Sequence, residues 1–379
     1  MRVHYAGRVY DGWKSVRIDA GIEQMARAFA LEVTYSLPGD LSFRDFQSGG
    51  LAQVYIDDDL VCTGWITSTP ASYDANSIRL QLQGKSRTVD LVDCCPVSAA
   101  FAAAGSTGTQ WADVKGKTST ATTSATSTPQ TSWKGMAAAD IIMALAQPYG
   151  IAVTVQGDSG SATDHTVNPG ETVAASIERL IEKTNLMATD DERGNLVLAQ
   201  PGAAGEADDA LILGQNILRG SAQFDASKRY SRYVVLGQCA GTDDVFGASA
   251  AELQGSADDS GVARFRLKVL KDEGESSFAG CAGRADFECR YRAGNFQRAS
   301  YTVQGWRQSS GKLWRPNLQV YVKDAVLGLD RWMVITKVSL SLSAQGMTTQ
   351  LEVVPPDALL SEQTTSTSST SSSTWAGVK

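Results

Sequence analysis

From Arg2 to about Asp93, apolar and polar residues alternate mostly with a period of two, which makes strands the main element of this stretch. Val16 and Ile18, Leu31 and Val33, Val54 and Ile56, then Ile78, Leu80 and Leu82 each alternate with polar neighbours. Successive side chains of a strand point to opposite faces, so the pattern predicts short half-buried strands in a small antiparallel barrel or sandwich. Ile22, Met25, Ala26 and Phe29 fall at helical spacing and predict a short helix within this region. Asp57-Asp58-Asp59, between apolar pairs, predicts a hairpin turn; a calcium loop would need alternating ligands and a glycine that are absent.

Thr118 to Ser132 is rich in Ser and Thr and nearly free of apolar residues, which predicts a mobile loop or linker. Beyond it, Ile141, Ile142, Leu145 and Ala146 make a helical stripe closed by Pro148 and Gly150. Thr172 to Lys183 puts Val173, Ile177, Leu180 and Ile181 on one helix face. Leu186-Met187 and Leu196-Val197-Leu198 flank DDERGN as a hairpin, so the middle region is an α+β unit. Tyr233 to Leu236 predicts a buried strand, followed by a polar loop to about Gly261. Phe278, Cys281, Ala285 and Cys289 recur at helical spacing, with core packing as the expected role of both cysteines. Strands around Tyr301–Val303, Val320–Val322, Val334–Leu342 and Thr348–Val354 complete the folded part, and Pro355-Pro356 is expected to end it. Every residue from Thr364 to Thr374 is Ser or Thr, which predicts a disordered tail.

At 379 residues the chain exceeds one ordinary core. A hydrophobic share of 42% with 20% charged residues describes a soluble globular protein. The net charge of −7 argues against affinity for nucleic acid through phosphate neutralisation. No apolar run is long enough to cross a bilayer, and MRVHYAGRVYDGW lacks the apolar segment of a signal peptide. Cys62, Cys94, Cys95, Cys239, Cys281 and Cys289 show no CxxC pair, so buried thiols in a reducing cytoplasm are expected.

Catalytic signatures are missing. With His4 and His165 as the only histidines, a His-based triad or a multi-histidine metal centre is nearly excluded, and both are expected to be structural. Gly84-Lys85-Ser86 and Gly116-Lys117-Thr118 imitate a phosphate loop, but Arg79 and Trp111 stand where its first glycine belongs. Neither GxSxG nor a dinucleotide-binding fingerprint occurs. No enzyme activity, cofactor or metal is expected, although a pair of carboxylates brought together by the fold would escape a reading of sequence.

Gly305 to Asn317 reads GWRQSSGKLWRPN, with two tryptophans, two turn-forming glycines and a Pro-Asn pair before a β-rich segment. Tryptophans this close usually anchor a fixed loop, and a core-packing corner accounts for the motif taken alone. Together with DGWKSVRIDAGIEQMARAFALEV near the N-terminus, Gly64, GKSRTVDLVDC from Gly84 to Cys94 and GQNIL mid-chain, the window resembles the baseplate hub proteins of contractile-tailed phages, of the Mu type. The likeness runs from Tyr5 to about Leu359; Lys85 departs from it where arginine is expected, and the Ser/Thr tail lies outside it.

The resemblance implies a mainly β, multidomain chain with α+β insertions and two similar small β-barrels, three chains closing into a pseudo-six-fold ring. It divides the chain into a first barrel (1–100), an α+β domain (101–213) holding the 118–132 loop, a second barrel (214–240 with 306–356), a small α/β insertion (241–305) and a disordered tail (357–379). The implied homotrimer would join a six-fold tail tube protein to a three-fold central spike protein, next to the tape-measure protein and neighbouring baseplate proteins. DNA would pass its bore without specific binding, and no membrane insertion is implied. The implied location is the virion tail baseplate, after assembly in the host cytoplasm. Trp13, Trp65, Trp306, Trp314, Arg315 and Trp332 are the candidate interface or corner anchors, since aromatic residues and arginine are over-represented in obligate interfaces, with core packing within a protomer the expected fate of most of them. Two other classes stay open: a cell-wall-degrading or carbohydrate-binding tail component, and the related hub of a secretion-system spike.

Overall fold

The alternating N-terminal region forms eight strands in a computed structural model that describes residues 1–36, 45–75, 77–97, 131–157, 162–182, 184, 186–238, 253–275 and 277–360. They are β1 (Arg2–Tyr5), β2 (Arg8–Tyr10), β3 (Ser15–Gly21), β4 (Ala28–Ser36), β5 (Leu51–Ile56), β6 (Asp59–Ser68), β7 (Ala71–Tyr73) and β8 (Ser77–Ser86), followed by the short helix α1 (Val89–Asp93). Asp57 and Asp58 make the expected two-residue turn between β5 and β6, with Ile56 opposite Asp59. Gly64 lets β6 cross close to β8: a Cβ there would run into the Lys85 carbonyl.

The expected helix over Ile22 to Phe29 does not form; residues 22–27 are an irregular turn and Phe29 belongs to β4. The cause is that its apolar residues serve three different cores. Phe29 joins the main core, Met25 the core of the middle unit, and Ile22 a small cluster with Val334 and Val354. Helical spacing without a single shared face is no amphipathic helix.

The middle unit carries β9 (Ser132–Ala137), α2 (Ala138–Ala146), β10 (Val153–Gln156), β11 (Ala162–Thr166), α3 (Val173–Ile181), β12 (Met187–Asp190) and β13 (Leu196–Ala199). Gly150 takes the left-handed conformation after α2 and its following turn. Thr172 caps α3 by accepting from the Ala175 amide at 3.2 Å. Ile141, Ile142, Val173, Ile177, Leu196 and Leu198 fill the core of this unit, onto which Met25 and Leu91 also pack. Residues 118–130, most of the predicted Ser/Thr-rich loop, lie outside the described residues.

The C-terminal part contains β14 (Leu211–Ile212), β15 (Ile217–Phe224), β16 (Arg232–Gln238), β17 (Leu253–Asp258), β18 (Leu267–Glu275), α4 (Phe278–Asn295), β19 (Gln297–Gln304), β20 (Gln319–Asp324), β21 (Leu329–Ser343) and β22 (Gly346–Val354). Residues 253–258, expected within the polar loop, instead pair with β16 as β17. Cys281 and Ala285 of α4 pack on Val235 as one small core. The diproline does not end the folded chain, because Pro356–Leu359 form a 3-10 turn that buries Ala358 and Leu359. Residues 361–379, the rest of the predicted tail, lie outside the described residues.

One sheet of 14 strands joins the two ends of the chain in the order β15-β19-β22-β21-β3-β4-β8-β6-β5-β1-β2, with β20 beside β21, β14 beside β20 and β7 beside β8. The two expected barrels are not closed by any pairing among the described residues. The free edge of β3 is taken by β21, with Lys337 opposite Gly21 and Leu342 opposite Val16. The other edge of β21 pairs with β22, while its first half serves β20. A shared core runs beneath both halves, from Val3, Ile18 and Leu80 to Tyr301, Val322 and Leu351. The fold is mainly β, as expected.

Candidate functional site

The segment Gly305–Asn317 leaves β19 at Gly305, whose positive φ turns the chain, and re-enters the sheet through Asn317 and β20. Between those points it binds three parts of the molecule. Arg307 donates to Asp59 Oδ2 at 2.6 Å and to Asp57 Oδ2 at 2.9 Å, gripping the β5–β6 turn. The buried Gln308 accepts from the Asp208 amide at 2.7 Å, and Ser310 donates to Asp208 at 2.6 Å. Asn317 Oδ1 accepts from the Gly202 amide at 2.6 Å and Asn317 Nδ2 donates to the Gln200 carbonyl at 2.9 Å. Arg315 reaches Glu192 of the β12–β13 turn at 3.5 Å. The segment ties the N-terminal strands, the middle unit and the C-terminal strands together.

Beside it opens a cleft of about 630 Å³, lined by Asp59, Asp208, Lys312 and Arg315 with Arg27 and Asp190 among its deeper residues. Arg27 Nε stands 3.1 Å from Asp190 Oδ1, and both side chains are almost wholly buried. The same guanidinium donates to the Val61 carbonyl at 2.7 Å and to the Asp190 carbonyl at 2.7 Å. Burial works to raise the Asp190 carboxyl, and the Arg27 charge and its hydrogen bonds oppose it. Such a pair fixes the orientation of two elements and offers no free group for chemistry.

The candidate anchors divide by burial. Trp13, Trp306 and Trp314 sit in the main core. Trp306 Nε1 donates to the Ser341 carbonyl at 3.0 Å, and the Trp314 amide donates to the Trp306 carbonyl at 3.1 Å, so the two tryptophans hold each other as a corner. Trp13 and Trp306 line a second cavity, of about 490 Å³. Trp65 is half-buried on β6 and donates to Asp90 Oδ2 of α1 at 2.9 Å. Arg315 and Trp332 are exposed, Trp332 at 43% and edge-on to Tyr321 across the β20–β21 pair. Sequence reasoning missed Arg27 and Asp190, which lie 163 residues apart without a local motif.

Serine and histidine meet at His165 Nε2 and Ser176 Oγ, 2.7 Å apart. Both are buried, in the middle unit between β11 and α3. Burial and the nearby Arg179 charge hold the His165 imidazole below its ordinary range. A serine with no exposure cannot reach a substrate, so this pair is a packed hydrogen bond. Three cysteines depart from the expectation of buried thiols: Cys95 is exposed, and Cys94 and Cys289 are half-buried; Cys239 lies outside the described residues. No helix among the described residues is long and apolar enough to cross a membrane.

Residues 1–86 match the family described as Mu phage baseplate assembly protein GpP-like, N-terminal. Residues 121–200 match baseplate hub protein gp44-like, second domain, and residues 277–362 match Mu phage baseplate assembly protein GpP, fourth domain. The chain is 28% identical over 364 residues to the baseplate hub protein gp44 of Escherichia phage Mu, covering 93% of this chain and 87% of that protein. The crystal structure of the prophage MuSo2 43 kDa tail protein from Shewanella oneidensis is similar with a TM-score of 0.75 at 26% identity, over 94% of this chain and 98% of that one. The tail protein from Neisseria meningitidis MC58 shares the fold with a TM-score of 0.71 at 23% identity, again over 94% and 98%.

Proposed function

Given that this chain is a homologue of the Mu-type baseplate hub proteins and a structural component of a phage tail, we propose that it works as a homotrimeric ring between tail tube and central spike. The observation that carries this reading is the β3–β21 pairing. It sets an N-terminal and a C-terminal set of strands side by side in one sheet, so one chain offers two β units in a row. Three chains would then offer six such positions to a six-fold tube and keep three-fold symmetry toward a spike. The tape-measure protein and then DNA pass through the bore, and the net charge of −7 favours sliding over retention. The tube protein, the spike protein and neighbouring baseplate proteins are its partners, and assembly takes place in the host cytoplasm.

The hub carries no catalytic activity in this account. His165 and Ser176 are sealed from solvent, and the Arg27–Asp190 pair is spent on internal bonds. Trp332 and Arg315, exposed at different places on the C-terminal strands and the connecting segment, are the candidate anchors free to meet another chain. The experiment is light scattering after size exclusion. A mass three times the 40.3 kDa chain supports the trimer, and a monomer persisting at micromolar concentration contradicts it.

A further inference from the structure

Cations gather at one end of the β16–β18 and α4 unit, against the acidic balance of the whole chain. The Tyr230 ring has Arg266 at 4.6 Å, Lys268 at 5.8 Å and Arg292 at 5.8 Å from its centroid. A cleft of about 480 Å³ beside it is lined by Lys228, Arg292 and Arg298, with Gln223, Tyr291 and Asn295, and by the single carboxylate Asp225. Arg229 is neutralised by Asp259 and Arg292 by Glu288, but Lys228, Arg266 and Lys268 make no ion pair with a carboxylate among the described residues. The ring quadrupole and the C-terminal end of α4 offset part of the mutual repulsion, and a positive field remains for an outside anion to meet.

The donor geometry narrows what that anion is. Arg266 spends Nη1 on the Ala226 carbonyl at 2.7 Å and Nη2 on the Ser227 carbonyl at 2.9 Å. Arg292 spends Nε on Glu288. The forks of Arg266 and Arg292 that would clasp a phosphate are committed, Arg298 is shared between Asn295 at 3.3 Å and Glu23 at 3.6 Å, and the ammonium charges left without an ion pair among the described residues are those of Lys228 and Lys268. Apolar surface borders the cluster: Phe265 is 77% exposed and neighbours Arg266, and Phe224, partly exposed, packs against Phe296 beneath Arg229. We propose that this surface docks an acidic, aromatic-bearing segment of a partner protein. The assignment of protein over nucleic acid rests on the hub reading, in which a wall that lets DNA slide would not hold phosphates.

The test is fluorescence anisotropy of the full chain with a labelled Glu-rich peptide containing phenylalanine, over a range of salt, with duplex DNA and inorganic phosphate as competitors. Binding that weakens with salt, and weakens roughly tenfold in the Lys228→Glu/Lys268→Glu double variant but not in Lys134→Glu, is the expected result. Neither lysine is buried, and melting temperatures of the variants check that they fold. Absence of peptide binding, or equal loss in Lys134→Glu, overturns the proposal. Displacement by DNA or phosphate at lower charge concentration than the peptide overturns the assignment to a protein partner. Particle shape by electron microscopy on the same samples keeps the outcomes separate: rings without peptide binding sink this inference alone, and absence of rings sinks the hub reading itself.

Discussion

Arg27, ahead of β4, and Asp190, at the end of β12, form a buried ion pair that joins the N-terminal strands to the middle unit across 163 residues of sequence. Thr189 adds a bond from its hydroxyl to the Gly21 carbonyl at 2.9 Å. Removing one partner leaves the other charge buried and uncompensated, whereas replacing both with apolar residues removes the desolvation cost as well. Arg27→Ala or Asp190→Asn should lower stability by about 3–5 kcal/mol, and Arg27→Met with Asp190→Leu by clearly less. Urea unfolding of the three variants measures this; a double variant as unstable as the sum of the singles contradicts it.

Trp314 and Trp332 should separate core from surface. Trp314→Ala removes a core side chain and should cost about 3–5 kcal/mol of stability. Trp332→Ala gives up an exposed ring and its contact with Tyr321, about 1 kcal/mol or less, and should act mainly on self-association. Melting temperature and oligomer mass of each variant decide; an unchanged melting temperature in Trp314→Ala refutes the corner assignment.

Acid should weaken the fold in two steps. The Arg229 guanidinium holds the Asp259 carboxyl below the usual carboxylate range, so the stability it contributes is present above the unfolded value and is lost as pH falls through the folded one. Burial depresses His165 below its unfolded value of about 6.5, so protonation favours unfolding and stability starts to fall below that pH. Asp259→Asn should be about 1–3 kcal/mol less stable than the parent at neutral pH, with the gap closing below about pH 4. A gap that stays constant to about pH 3 is the contrary result.

Cys62 and Cys95 should differ in reactivity. Burial pushes the Cys62 thiol up to about 12, and no face of it reaches solvent, whereas Cys95 is exposed. Only the thiolate reacts with alkylating agents, so peptide mapping after native labelling at neutral pH should find Cys95 modified and Cys62 intact.

Local pattern made much of this molecule readable. The alternation around Val16, Leu31, Val54 and Leu80 marks β3, β4, β5 and β8, and the Thr172 cap with Ile177 and Leu180 marks α3. It failed where residues served more than one core. Ile22, Met25 and Phe29 keep helical spacing by coincidence, and β17 hides in Leu253–Asp258 because half of its residues are polar and exposed. The Trp306–Trp314 corner was legible because both tryptophans lie in one window. Arg27 with Asp190, and β3 with β21, are long-range pairings that no short pattern encodes.

Negative-stain electron microscopy of the purified chain, with two-dimensional class averaging, tests the central claim most directly. Rings with a central hole and three-fold or apparent six-fold symmetry are the expected result. Compact single-chain particles without a hole, at micromolar concentration, would contradict it.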